Sequence, residues 1–82
     1  MSGYGDVKSR RMVRLLNWLS KNKKVEVKSG GNHNYKITCI HNGESYPIPS
    51  SHRVINKHIV KAFMEWLVIN EICTKDEFDS RL

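Results

Sequence analysis

The hydrophobic period of this chain changes twice, and that change limits its fold more than any single motif does. Between Val7 and about Lys21, Met12, Leu15, Leu16 and Leu19 fall at i, i+3, i+4 and i+7, which draws one apolar stripe along a helix. Lys8, Arg10, Arg11, Arg14 and Lys21 lie mostly outside the stripe, so the helix carries a basic outer surface. The period then drops to two. Val25-Glu26-Val27-Lys28 alternates apolar and charged and runs into Ser29-Gly30-Gly31, a strand entering a turn. A second strand is expected from about His33 to His41, with His33, Tyr35, Ile37, Cys39 and His41 on one face and Lys36 and Thr38 on the other. Asn42-Gly43 is a strong hairpin signal, and Glu44 to Ile48 supplies a third strand. Pro47 donates no ladder hydrogen bond, which suits an edge.

The helical period returns after Ser50 and Ser51, either of which can cap a helix from near His52 to about Asn70. Ile55, Ile59, Ala62, Phe63 and Trp66 mark its expected buried face, with Lys57, Lys61 and Glu65 on another. Thr74-Lys75-Asp76-Glu77 has the spacing of a capping box and allows a short acidic helix to follow. The order is α-β-β-β-α with a short C-terminal helical extension. An α+β fold follows, a three-stranded antiparallel sheet with two helices on one face, which is the double-stranded-RNA-binding-like class. Residues 1–6 read as a flexible N-terminus, 7–70 as a single domain and 71–82 as an acidic extension.

At 82 residues there is one small core and no room for a deep enclosed site, so a substrate must lie across the surface. Charge suggests which substrate. Residues 1–61 hold twelve basic and three acidic residues, a net of +9, whereas 62–82 hold two and five, a net of −3. A basic body attracts polyanions, of which nucleic acid is the commonest in a cell. Cys39 and Cys73 form neither a disulfide framework nor a CxxC motif. The first residues lack the apolar run of a signal peptide and no later stretch approaches ~20 apolar residues, so no membrane span and a cytoplasmic, reducing compartment are expected.

One side chain stands out against this background. His33 sits where the glycine turn becomes a strand, and an imidazole of near-neutral pKa is suited to take the proton of an RNA 2′-hydroxyl as it attacks the adjacent phosphate. Lys28 and Lys36 flank the turn and are candidates to stabilise charge on the phosphorane oxygens. His41 lies eight residues further along the strand, ~27 Å away at ~3.4 Å per residue, which excludes a two-histidine site of that pair. His52 and His58 are six apart and diverge by about 240° on a helix. With no carboxylate cluster beside a histidine, neither a metal nor a cofactor is expected. The start of the second helix, with Arg53 and Lys57, is a candidate phosphate-binding element, the competing reading being an ordinary capped helix with two solvated cations.

The element order, the segment Gly31-Asn32-His33-Asn34-Tyr35 and the Pro47-Ile48-Pro49 run ahead of the second helix resemble the HicA toxins, over roughly Arg11 to Leu67. These are small mRNA interferases of toxin-antitoxin pairs. The resemblance implies a metal-independent endoribonuclease with His33 as its single catalytic histidine, Gly31 and Asn32 beside it at the RNA, mRNA as substrate and a HicB-like antitoxin as partner. Asn32 stands where that family usually has Ser or Thr. Two other readings fit the same residues. One is a non-catalytic RNA-binding module. The other is a protein-interaction module, such as a homodimer, formed through the apolar run Trp66-Leu67-Val68-Ile69.

Overall fold

The computed structural model describes residues 4–29, 34–49 and 53–82. Its elements are β1 (Val7–Lys8), α1 (Ser9–Leu19), β2 (Val25–Ser29), β3 (Asn34–Cys39), β4 (Ser45–Pro49), β5 (Val54–Ile55), α2 (Lys57–Ile69) and α3 (Lys75–Arg81). The fold is α+β. Strands β2, β3 and β4 form an antiparallel sheet in that spatial order, and β1 pairs with β5 in a separate two-stranded ribbon.

Register sorts the sheet into two faces. Val25 pairs with Cys39, Val27 with Ile37, Tyr35 with Ile48 and Ile37 with Tyr46, and these side chains are buried or half-buried. Against them pack Met12, Leu15, Leu16 and Leu19 of α1 and Val60, Phe63, Met64 and Leu67 of α2, all in one cluster. The other face carries Glu26, Lys28, Lys36, Asn34, Ser45 and Pro47, all exposed. Alternation in β2 to β4 is therefore the direct imprint of one dry face and one wet one. Pro47 and Pro49 lie on β4, an edge of the sheet, where missing donors also discourage an added strand.

The helix stripe of α1 is buried as its spacing requires, but the helix begins at Ser9, two residues later than its periodicity suggests. Val7 and Lys8 instead pair with Ile55 and Val54, and the Ser9 amide donates to the Arg53 carbonyl at 2.8 Å. The start of α2 also differs. Its cap is Asn56, whose side chain accepts from the His58 amide, so Arg53, Val54 and Ile55 precede the helix. Ser50, Ser51 and His52, expected at that start, lie outside the described residues. On α2 the buried face is Val60, Phe63, Met64 and Leu67, with Ala62 exposed and Ile59 and Trp66 half-buried, a rotation from the face expected.

Strand β3 ends at Cys39, not His41. Residues 40–43 form the connection, closed by hydrogen bonds from Cys39 N–H to Glu44 O and from Gly43 N–H to Cys39 O. Gly43 takes φ +74°, a conformation for which glycine has no steric penalty. The Asn42 carboxamide accepts from the Glu44 amide and donates to Asn70 Oδ1, locking the hairpin tip to the end of α2.

The acidic C-terminal segment closes the core. Thr74 and Glu77 form the reciprocal capping box that starts α3, and Phe78 on this helix is fully buried. Its ring meets Phe63 of α2 at 6.2 Å and Tyr4 at 5.8 Å, both edge to face. Among the described residues no helix is long and apolar enough to cross a membrane.

Candidate nucleic-acid interface

Lys28 and Lys36 are direct cross-strand partners on the open face of the sheet. Like charges placed opposite one another repel. Glu26, two residues along the same face, meets Lys28 Nζ at 3.2 Å, but both side chains remain mostly exposed and the pair holds the ammonium only loosely. The two lysines therefore stand at the mouth of the β2–β3 connection with their charge available to an anion. Gly31, Asn32 and His33 belong to that connection and lie outside the described residues, as do the contacts that His33 makes.

Arg53 and Lys57, expected together at the start of a helix, are separated by the short strand β5. Lys57 is the first residue of α2, and the Asp6 carboxylate accepts from its amide at 3.0 Å. Asn56 occupies the His58 amide at 2.7 Å. The first N–H groups of α2 thus already have acceptors from the protein. Arg53 lies elsewhere, against the beginning of α1. It lines a cleft with Lys8, Ser9, Arg10 and Val54, and Lys8 and Arg10 also line an adjoining depression with Asp6, Val7 and Arg11.

Lys8 and Arg10 are the cleft residues that sequence reasoning did not single out. They appear there as part of a generally basic helix surface. What singles them out is the pairing of Val7-Lys8 with Val54-Ile55, which brings Arg53 back from far along the chain. Two alternating residues on each side are too few for a periodicity signal.

Among the described residues, His41 and His58 are exposed, whereas the aromatic rings lie in the core or pack against it. His41 is exposed in the hairpin connection, its Nδ1 3.2 Å from the buried Cys39 Sγ. His58 is exposed in the first turn of α2. Tyr46 is half-buried beneath α2, with its ring 5.4 Å from Phe63 and 5.6 Å from Trp66. Burial raises its hydroxyl pKa above the ordinary tyrosine value. A ring committed to this cluster is a core element and not a platform for an unpaired base. Val68 and Ile69, at the end of the apolar run, are exposed.

Compared with protein-family models, with curated proteins and with solved structures, the chain matches none.

Proposed function

We propose that this chain is a toxin-type endoribonuclease that cleaves mRNA in the cytoplasm without a metal and is neutralised by a HicB-like antitoxin protein. The observation that carries the reading is the facing pair Lys28 and Lys36 on the exposed sheet face, beside the connection that contains His33. In this reading His33 accepts the 2′-hydroxyl proton as that oxygen attacks the adjacent phosphorus. The two ammonium groups lower the energy of the phosphorane by countering charge on its oxygens. The 5′-oxygen leaves with a proton from water or a lysine, giving a 2′,3′-cyclic phosphate and a 5′-hydroxyl.

The test is incubation of the purified protein with RNA, with and without EDTA, beside His33→Ala. The expected result is cleavage that survives EDTA, ends in a cyclic phosphate, and falls at least about a hundredfold in the variant, the usual scale for a lost general base. Unchanged cleavage by His33→Ala sinks the mechanism. RNA bound by the wild-type chain without turnover assigns it to the non-catalytic binding modules.

A further inference from the structure

The cleft between the start of α1 and β5 has a property that the sheet face does not share. Three cationic side chains from two distant stretches, Lys8 and Arg10 on one side and Arg53 on the other, line a single concavity of about 410 Å³. Among the described residues no carboxylate lines it. Nor does any of the three form an ion pair among those residues, the ion pairs present being Lys28 with Glu26 and Lys75 with Asp79. An acidic side chain close by, Asp6, lines the adjoining depression and accepts from the Lys57 amide.

This arrangement is unfavourable to the protein by itself. The first turn of α1 has no acidic residue, and its cap Lys8 makes no side-chain hydrogen bond to it. Cations lining one cleft beside the positive end of the helix dipole are repelled by that end and by one another. A bound anion reverses the sign of each effect. Two guanidinium groups favour one kind of anion, since their paired N–H groups match two oxygens of a phosphate.

We infer that this cleft is a phosphodiester-binding site, a second anchor that holds a nucleic-acid backbone independently of His33. It rests on the proposed ribonuclease function only for the choice of RNA as probe. Phosphate contacts position a strand without reading its sequence, so the site contributes affinity and register for whatever is done elsewhere on the surface.

The experiment measures binding of a fluorescein-labelled single-stranded RNA, by anisotropy over a range of salt, to the full chain and to three variants. For K8Q/R10Q/R53Q the affinity is expected to fall at least tenfold, and the slope of log affinity against log salt to flatten by about 2, at ~0.7 for each phosphate no longer neutralised. K21Q/K23Q/K61Q removes equal charge from other exposed positions and is expected to change affinity less than about threefold. His33→Ala serves as a non-cleaving background, in which the cleft substitutions are expected to lower affinity by the same factor as in the parent, so failure of the cleavage reading is separable from failure of this one. A same-sequence DNA arm, bound comparably and released in the same variant, identifies the phosphodiester as the shared element. In the unaltered chain, amide resonances of Ser9, Arg10 and Val54 are expected to shift on RNA titration. Full affinity in the cleft variant, equal weakening in the control, unmoved resonances, or displacement of RNA by polyglutamate of matched length each overturn the assignment.

Discussion

Cys73 shows how much a single position depends on its neighbours. In the sequence it is one of two unpaired thiols with no motif. In the fold it is 8% exposed beneath the start of α3, and burial, with help from the charge of Glu77, pushes its pKa up from 9.0 to about 11. The thiolate is the reactive form, so this group is inert near neutrality. A chromogenic disulfide reagent at about pH 8 is expected to label neither Cys73 nor the fully buried Cys39 until denaturant unfolds the chain. Prompt labelling of one equivalent under native conditions contradicts that. The same shift sets a pH trend. A raised folded-state pKa gives stability that is intact below the ordinary thiol value and lost as pH climbs through about 11, so thermal stability is expected to decline over that window. Tyr4 acts in the same direction at higher pH: partial burial and its hydrogen bond to Asp79 hold its hydroxyl proton above the ordinary tyrosine range.

Among the elements, the ends of α2 separate what was legible from what was not. Its amphipathic character follows from the spacing of Phe63 and its neighbours, whereas its length is shorter than that spacing suggested. Its start does not follow, because Ser50 and Ser51 are as good a cap on paper as Asn56, and the pairing of β5 with β1 decides between them. Its end near Asn70 is legible, but the way it stops is not, because no glycine marks it. Glu71 takes φ 58°, with its amide bonded to Val68 O at 3.0 Å and the Ile72 amide to Leu67 O at 2.9 Å, the paired closure of a Schellman motif. A left-handed conformation costs a non-glycine residue about 1–2 kcal/mol, partly offset by the greater chain entropy that glycine loses on folding. Glu71→Gly is therefore expected to stabilise the protein by up to about 1 kcal/mol in urea denaturation. The Lys24 ammonium, which donates to the Glu71 carbonyl at 3.0 Å, keeps its acceptor in that variant. A destabilised variant refutes this account of the helix end.

For the whole molecule, the C-terminal helix is the decisive addition. The capping box at Thr74 and Glu77 was readable, but it says only that a helix can start there. Phe78 makes α3 a part of the core by filling the space between Phe63 and Tyr4. Phe78→Ala is expected to cost about 3–5 kcal/mol, a large share of the roughly 5–15 kcal/mol that holds a small domain together. Urea unfolding measures it, and a change under about 1 kcal/mol means that α3 is only an appendage. The sequence by itself determined the class of each long element, since a 3.6-residue or two-residue period is a local property written by one buried face. It also determined the excess of positive charge and the candidacy of His33, Lys28 and Lys36. Only the tertiary structure decided that Lys28 faces Lys36, that Val7 pairs with Ile55, that Arg53 joins Lys8 and Arg10 in one cleft, and that Phe78 is core. Each of those joins residues from separate elements, and burial between distant segments is collective: no stretch of sequence contains the surface that its partner will cover.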